Sequence, residues 1–509
     1  MTTPEDLEMR SHPKSLINLL RGWPNPSLLP VNLLQTATKK VLADRTIADP
    51  GLLYGPDTGD PRLRDCVAKW LTKFYKPAQP ISHERITITG GASQNLGCLL
   101  QVYSDPGYTR NVWMIAPAYM LAFRIFQDSG FHKKLRAVPE DEEGVDIQYL
   151  QRQMRKSEER AKSEGNTAPK FKPSRPYGKI YRHIIYAVPA FSNPSSKTMS
   201  LQRREQLVRI ARQFDALIIT DDVYDFLQWP SSTTTDQSSL ESATLPRIVD
   251  IDQTLEGGAE REGADGFGNV ASNGSFSKIA GPGLRTGWVE GTEKFAYGVS
   301  QTGTTASGGA PSQLTSTYVA ELLESGELQK YIFETLQPAY AERFRTMLKA
   351  IEEHLLPLGV ALPQTDRQVV GGYFMWLSLP PPLQSKAVAQ RAKAEENLII
   401  AQGQIFEVPG DSDSASFPHD LRLCFAWESL ENIREGIARL ARVVSQMQRE
   451  GTPGEAMAPA TETNGHNLQD EPQRRTQERG PLVGVEAAKS APEALRQQSK
   501  SPRHSRYTN

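Results

Sequence analysis

Short apolar runs alternate with amphipathic stretches along the first half of the chain. The stretch from Leu207 to Phe214 repeats apolar residues at helical spacing, whereas the apolar runs are too short to form such helices. These runs occupy residues 85–89, 111–117, 183–189 and 217–220. Apolar strands that are separated by helices predict an α/β fold, in which helices cover both sides of a parallel sheet.

Polar residues follow these runs at the points where the predicted strands end. Parallel α/β sheets bind ligands beyond the carboxyl ends of their strands, so these positions are candidates for a site. Gly90 and Gly91 follow the first strand at the start of a helix, where free N–H groups favour a phosphate. Taken singly, each such motif is equally typical of a turn or of packing. The other strand ends are followed by Tyr119, Asn193, Asp221 and Tyr224.

The stretch "SNGSFSKIAGPGLRTGW" (272–288) combines serines, a lysine and an arginine without an acidic residue. A neutral lysine amine attacks carbonyl carbons, and neighbouring positive charge helps to keep it neutral, so Lys278 is a candidate for forming an imine. Ser275, Ser277 and the guanidinium of Arg285 are the donors that a phosphate monoester requires. A lysine that forms an imine beside a phosphate site predicts pyridoxal 5′-phosphate as the cofactor.

Segments in a fixed order along the chain resemble the fold-type I, pyridoxal phosphate-dependent aminotransferases of class I/II. The branch that the chain most resembles is that of the kynurenine/2-aminoadipate aminotransferases and their fungal aromatic-aminotransferase relatives, over roughly residues 15–448. The resemblance implies a large domain with a mainly parallel central sheet, a smaller α+β domain and transaminase activity. The segments are "LRGWPNPSLLP" (20–30), "LLYGPDTGDPRLRDCV" (52–67), "TGGASQNL" (89–96), "APAYMLAF" (116–123), "FSNPSS" (191–196), "TDDVYDFL" (220–227), the lysine stretch, "GGYFMWLSLP" (371–380) and "DLRLCFAWES" (420–429).

The resemblance assigns the cofactor ring to five residues. Lys278 would hold pyridoxal phosphate as an imine and then act as a general base, and Asp221 would pair with the pyridine nitrogen. Asn193 and Tyr224 would hydrogen-bond the 3′-oxygen of the ring, and Tyr119 would stack on its face. Lys278, Asp221 and Tyr224 are therefore the expected catalytic residues.

The resemblance also assigns the substrate and the phosphate. Arg422 would bind the substrate α-carboxylate, assisted by Asn193 and by the backbone at Gly22. The chain departs from the family at two positions, because Ser196 stands where relatives often have glycine and Ala92 where they often have serine. The expected phosphate ligands are Ser275, Ser277, Arg285, the backbone of Ala92 and Ser93, and Tyr54 from a second subunit.

Changes in composition predict how the chain is divided. Two charged, glycine-punctuated stretches indicate surface inserts, and the C-terminal segment has too few large apolar residues to offset its chain entropy. The predicted parts are a small domain that joins 1–46 to 306–448, a large cofactor-binding domain at 47–305 with inserts at about 151–179 and 231–272, and a disordered tail at 449–509.

Charge and cysteine content restrict the partners and the compartment. The 58 basic and 59 acidic residues leave a net charge of −1, so neither nucleic acid nor an anionic membrane is an expected partner. Three widely spaced cysteines, no signal-like N-terminus and no run of 18 apolar residues predict a cytoplasmic protein. No metal site is predicted.

The predicted reaction moves the amino group of an L-amino acid, aromatic or 2-aminoadipate-like, to a 2-oxo acid such as 2-oxoglutarate. The protein is expected to be a homodimer. Trp23 and the "GGYFMWLSLP" segment indicate a roomy aromatic pocket. The same cofactor also serves eliminations, so the alternative is a lyase or synthase on this scaffold, resembling a C–S lyase or an aminocyclopropanecarboxylate synthase.

Overall fold

The computed structural model describes residues 14–231, 240–363 and 367–451. The strands in these ranges are β1 (Ile17–Asn18), β2 (Ile86–Thr89), β3 (Val112–Ala116), β4 (Leu135–Asp141), β5 (Gly144–Val145), β6 (His183–Ala187), β7 (Ala216–Asp221), β8 (Gln228–Pro230), β9 (Val270–Ser275), β10 (Gly287–Glu290), β11 (Val369–Gly371), β12 (Phe374–Ser378), β13 (Leu398–Ile399), β14 (Ala401–Gln402) and β15 (Asp420–Cys424). The α-helices are α1 (Val31–Ala43), α2 (Arg45–Gly51), α3 (Pro61–Tyr75), α4 (Ala92–Tyr103), α5 (Met120–Phe126), α6 (Ile147–Ser163), α7 (Leu201–Gln213), α8 (Ile248–Thr254), α9 (Glu293–Ser300), α10 (Gln313–Glu324), α11 (Glu327–Tyr331), α12 (Gln337–His354), α13 (Ser385–Glu396) and α14 (Leu430–Glu450).

The central sheet has the strand order β2-β10-β9-β7-β6-β3-β4-β5. Strands β9, β7, β6, β3 and β4 are parallel, which confirms the predicted α/β fold with a mainly parallel sheet. Strand β10 runs antiparallel to both β2 and β9, because the segment 276–286 is too short for the crossover that a parallel return requires. The carboxyl ends of the parallel strands therefore meet at one edge, where Ala116, Ala187, Asp221 and Ser275 lie.

Helices cover both faces of this sheet, as predicted. Alternate strand residues such as Met114 and Ile184 pack with α4, α5 and α9 on one face. Their neighbours Ile115 and Ile185 pack with α6, α7 and α8 on the other face. Since successive strand residues point to opposite faces, the largely apolar runs of the sequence are explained by burial on both sides.

The C-terminal third of the fold contains a second sheet, formed by β12, β15 and β14 in antiparallel pairing. Strand β1 pairs with β13, so the N-terminal segment joins this part of the molecule. The described residues all belong to one compact unit, Met1–Pro453, and the domain boundaries near residues 46 and 305 stay predictions. None of the helices in the described ranges has the length and apolar character needed to span a membrane.

The structure corrects the boundaries of both predicted inserts. The stretch 231–272 contains α8, whose Ile248 and Val249 are buried, and it includes the first residues of the sheet strand β9. The stretch 151–179 begins inside α6, which packs Met154 against the sheet and also buries Ala161. These helices have few apolar residues, and those residues face the core. The average composition of each stretch is therefore polar, although part of the stretch is buried. Residues 232–239 of the second stretch, and the predicted tail beyond residue 451, lie outside the described residues.

Asp105 attaches the remaining part of the first insert to the fold. Its Oδ2 accepts hydrogen bonds from the backbone N–H groups of Lys170, Phe171 and Lys172 at 3.1, 2.7 and 2.9 Å. Its Oδ1 accepts from the N–H group of Gly107 at 2.7 Å. Burial alone would raise the pKa of Asp105, but these backbone bonds outweigh burial and lower it, so the carboxylate stays ionised.

Candidate active site

Lys278 lies one helical turn beyond the end of β9. Its Nζ donates a hydrogen bond to the carbonyl oxygen of Gly22 at 2.8 Å, and it lies 5.7 and 5.3 Å from the ring centroids of Tyr224 and Tyr373. Burial lowers the pKa of Lys278 to about 8, although the neighbouring Asp221 opposes this shift. The amine is therefore neutral in a substantial fraction of molecules slightly above neutral pH, which is what nucleophilic attack needs.

Asp221 ends β7 and has one oxygen paired and one unpaired. Its Oδ2 accepts a hydrogen bond from the hydroxyl of Tyr186 at 2.8 Å, whereas its buried Oδ1 has no partner among the described residues. Burial raises the pKa of Asp221 to about 6, against the opposing effects of the Tyr186 hydroxyl and of Lys278. A buried carboxylate that keeps a free oxygen is suited to accept a hydrogen bond from a donor group of a ligand.

Arg422 lies on β15 and is almost completely buried. Its Nη1 donates to Asn193 Oδ1 at 2.7 Å and its Nη2 donates to the carbonyl oxygen of Leu20 at 2.6 Å. The buried Nε has no partner in the described part of the chain. The guanidinium carbon lies 4.1 Å from the ring centroid of Phe374 and 4.9 Å from that of Phe406. A guanidinium that lies near two aromatic rings and keeps one uncommitted donor is suited to a carboxylate ligand.

Asn193, which accepts a hydrogen bond from Arg422, lies in a turn whose residue 196 has a backbone conformation that favours glycine. Ser196 has a φ of +62°, in the left-handed region that favours glycine and costs other residues roughly 1–2 kcal/mol. Its hydroxyl donates to the carbonyl oxygen of Phe374 at 2.6 Å, a contact that a glycine lacks. The departure from the family at this position therefore leaves the turn intact, and Asn193 stays in place.

The glycine-rich start of α4 lies beside Arg285. Gly91 precedes the helix with a φ of +96° and no side chain caps the first turn, which leaves the N–H groups of Ala92 and Ser93 available. Arg285 Nη2 donates to the carbonyl oxygen of Gly90 at 2.6 Å, and a Cβ atom on Gly91 would come within 3.0 Å of that nitrogen. The two serines of the expected set, Ser275 and Ser277, have hydroxyls 2.9 Å apart.

The remaining predicted residues are divided between the site and the surface. Tyr119 lines a cavity together with Tyr186 and Asn193, and burial raises its pKa to about 12. Tyr224 is buried and its ring centroid lies 5.9 Å from that of Phe374. Tyr54 does not reach this site within its own chain, because its side chain is 89% exposed.

Two residues of this site carry no distinctive signal in the sequence. Tyr186 belongs to an apolar strand, and nothing in "HIIYAVP" distinguishes its hydroxyl as a ligand of Asp221. Glu140 lines the same cavity as Tyr119, and burial raises the pKa of Glu140 to about 7. It opens the acidic run 140–143, where a buried carboxylate cannot be told from exposed ones. Within the described ranges, no group of three or more His, Cys, Asp or Glu side chains is placed to hold a metal ion.

Comparison with known proteins identifies the family of the chain. Residues 26–440 match the family described as aminotransferase class I and II. The chain is 34% identical to an uncharacterized protein of Saccharomyces cerevisiae, over 83% of this chain and 95% of that protein. It is 28% identical to an aromatic-amino-acid aminotransferase of Thermococcus litoralis, over 85% of this chain and 88% of the relative. The kynurenine aminotransferase of Pyrococcus horikoshii, solved with PMP, superposes with a TM-score of 0.65 at 26% identity, over 88% of this chain and 97% of that one.

Proposed function

Since the chain belongs to the class I and II aminotransferases and is therefore a transaminase, we propose that it uses pyridoxal 5′-phosphate to serve aromatic or 2-aminoadipate-like L-amino acids, with a 2-oxo acid such as 2-oxoglutarate as acceptor. The observation that carries this proposal is the convergence of three groups. The Lys278 amine lies close enough to the half-paired carboxylate of Asp221 and to the buried guanidinium of Arg422 for both charges to act on its pKa, so the three groups belong to one site.

The described residues fit a phosphorylated pyridine ring. The unpaired Oδ1 of Asp221 is buried and can accept a bond from a ring N–H group. The open first turn of α4 and the guanidinium of Arg285 provide N–H donors for a phosphate. Lys278 would hold the cofactor, with Asn193 and Tyr224 near the ring oxygen and Tyr119 on the ring face. The bound cofactor supplies a carbonyl carbon that takes up the amino group and a ring that delocalises negative charge from Cα.

The chain's own residues then orient the substrate and move a proton. Arg422 binds the α-carboxylate through its fork, and Asn193 fixes the plane of that fork. The neutral Nζ of Lys278 acts as a general base that takes a proton from substrate Cα. Asp221, held by the Tyr186 hydroxyl, stays ionised and keeps a proton on the ring nitrogen through an ion pair. The rings of Tyr224 and Tyr373 flank this amine, with centroids 5.7 and 5.3 Å from Nζ.

The lowered pKa of Lys278 predicts how cofactor uptake depends on pH. Only the neutral amine attacks an aldehyde, and the pKa of about 8 means that the neutral fraction falls below that pH. Cofactor-free protein should therefore form its covalent bond to pyridoxal phosphate about tenfold more slowly for each pH unit below 8, and at a nearly constant rate above pH 9. Stopped-flow absorbance at a series of pH values measures this rate. A rate that keeps rising to pH 10.5 would indicate that the pKa of this amine is not lowered.

Replacing Arg422 with alanine should weaken substrate binding and leave the cofactor in place. A charge-assisted carboxylate contact contributes about 1.5–3 kcal/mol, so affinity for both amino acid and 2-oxo acid should fall about 10–100-fold. Steady-state kinetics and a cofactor assay measure the two effects. Arg422→Lys keeps the charge but loses the fork, and it should recover only part of the affinity. If the variant instead loses cofactor and handles substrate normally, Arg422 holds the cofactor and not the substrate α-carboxylate.

Names of similar proteins favour amino-group transfer over the lyase alternative. A panel of L-amino acids, assayed for glutamate formation from 2-oxoglutarate and for ammonia release, tests the proposal directly. We expect glutamate from aromatic amino acids or 2-aminoadipate and no ammonia. Ammonia or thiol release without glutamate would instead support a lyase.

The proposal includes a homodimer in the cytoplasm. Tyr54, expected at the phosphate, is exposed next to the equally exposed Leu52 and Leu53, at 65% and 69%. An apolar patch of this kind supports burial against a second copy, in which Tyr54 would reach the other subunit's phosphate site. The three free cysteines are compatible with a reducing compartment. Analytical ultracentrifugation tests the dimer.

A further inference from the structure

An arginine lies in the middle of the loop that forms one wall of the site. The carbonyl oxygens of Leu20 and Gly22 accept the hydrogen bonds from Arg422 and Lys278. Arg21 lies between these two residues, so its Cα is about 3.8 Å from the Cα of each. Its guanidinium carbon lies 4.7 Å from the ring centroid of Trp23 and 4.8 Å from that of Trp427.

The guanidinium of Arg21 has no acidic partner among the described residues, where every ion pair found involves other basic groups. The nearest acid in sequence to Trp427 is Glu428, but its Oε1 accepts from the N–H group of Asn18 and its Oε2 accepts from Asn432. The Oδ1 of Asn18 in turn accepts hydrogen bonds from the backbone N–H groups of Leu20 and Arg21 at 3.0 Å each. The backbone of the loop is thus fixed by hydrogen bonds, while the charge of Arg21 is not neutralised.

Two indoles hold the guanidinium without satisfying its hydrogen-bond donors. The rings of Trp23 and Trp427 meet edge to face with centroids 5.9 Å apart. Cation–π contacts orient a guanidinium but leave the N–H groups in its plane free. Trp23 is 49% exposed, so this cluster of Arg21, Trp23 and Trp427 is open to solvent. The loop that carries Arg21 and Trp23 also provides the two carbonyl oxygens that hold Arg422 and Lys278. A planar fork of free donors matches a carboxylate in both shape and charge.

We propose that Arg21, held between Trp23 and Trp427, binds the distal carboxylate of a dicarboxylic substrate. This inference rests on the proposed function and deepens it. Arg422 takes the α-carboxylate and Arg21 takes the second one, so that a five-carbon dicarboxylic 2-oxo acid is held at both ends. When the substrate has an aromatic side chain instead, the indole faces next to Arg21 offer it an apolar surface. One site can therefore serve an aromatic amino donor and an acidic acceptor in turn.

The test compares two acceptors that differ only at the distal end. In 2-oxohexanoate an ethyl group stands where 2-oxoglutarate has its second carboxylate. In Arg21→Gln holoenzyme, kcat/KM for 2-oxoglutarate should fall about 10–100-fold, mainly through KM, and kcat/KM for 2-oxohexanoate should change less than about threefold. Arg21→Lys should recover part of the preference. Arg209→Gln, which removes an equal charge from the outward side of α7, should leave both acceptors unchanged.

Binding provides a second measurement that does not depend on turnover. Glutarate and hexanoate are titrated into each holoenzyme while the visible absorption of the cofactor is followed. Glutarate should lose its advantage over hexanoate in Arg21→Gln. An equal loss for both ligands, or an unchanged ratio of the two acceptors, would overturn the assignment, because it would leave Arg21 only a structural role in the loop. If the wild type transaminates 2-oxohexanoate as well as 2-oxoglutarate, the inference also fails while the proposed function stands. Absence of transamination with every donor and acceptor would refute the proposed function itself.

Discussion

Replacement of Lys278 with alanine should abolish transamination and leave the protein folded with its cofactor still bound. In the proposed mechanism, the Lys278 amine has two roles: it attaches the cofactor, and it moves the proton at Cα. General acid–base catalysis alone contributes about 10²–10⁴-fold, so loss of both roles should lower the half-reaction rate by about 10⁴-fold or more. The phosphate donors around Arg285 and α4 are untouched, so the cofactor should remain bound without a covalent link.

Single-turnover absorbance measures the rate, and borohydride reduction followed by peptide mapping identifies the lysine that holds the cofactor. Lys172 provides a matched control, because burial lowers its pKa to about 8 as well. Its Nζ donates to the carbonyl oxygens of Leu100 and Gln101, towards the end of α4 that is remote from Ala92. Lys172→Ala should keep full activity. Cofactor found on Lys172, or wild-type turnover in Lys278→Ala, would refute the assignment of the site.

The change Asp221→Asn should leave the cofactor attached and slow the half-reaction by about 10²–10³-fold or more, the range expected when one electrostatic contact to developing charge is lost. A neutral amide cannot keep a proton on the ring nitrogen by charge, so negative charge at Cα is no longer drawn into the ring. Cofactor content measured after alkali release should stay near one per chain. An unimpaired half-reaction would mean that another group protonates the ring.

The change Tyr186→Phe tests the same carboxylate with a smaller perturbation than Asp221→Asn. It keeps the carboxylate but removes the 2.8 Å bond to Oδ2, which favours the ionised form. The pKa of Asp221 should therefore rise, and the acidic limb of the pH–rate profile should move towards higher pH. A rate lowered equally at all pH values would instead indicate that Tyr186 acts only through packing.

Much of the site can be predicted because strand ends are visible in sequence. The apolar runs locate four sheet strands, and the rule that ligands bind at carboxyl ends singles out Tyr119, Asn193 and Asp221. The lysine stretch predicts the cofactor through the chemistry of Lys278 and its neighbours. Arg422 can be assigned only through family resemblance, because an arginine on a C-terminal strand has no local signature of carboxylate binding.

The features that could not be predicted from sequence are the direction in which a side chain points and the burial of charged side chains. Tyr186 is one of five residues in β6, and only the pleat decides that its hydroxyl points to Asp221. Glu140 and Arg247 carry charge, so composition places them on the surface, yet the side chain of Glu140 is only 8% exposed and Arg247 is buried. Arg247 can be buried because its guanidinium pairs with Asp250 and Glu290. The pair with Glu290 joins residues 43 positions apart in the chain, so no local pattern records it.

The attachment of the first insert through Asp105 has a consequence for how this protein can diverge. The carboxylate holds Lys170 and Phe171 by their backbone N–H groups, which every amino acid except proline provides. The side chains of this loop can thus be exchanged over evolutionary time without detaching it, whereas Asp105 itself cannot. Pro169 and Pro173 stand immediately outside the three residues whose N–H groups are used. Natural variants should accordingly accept almost any residue at positions 170 and 171, but not proline.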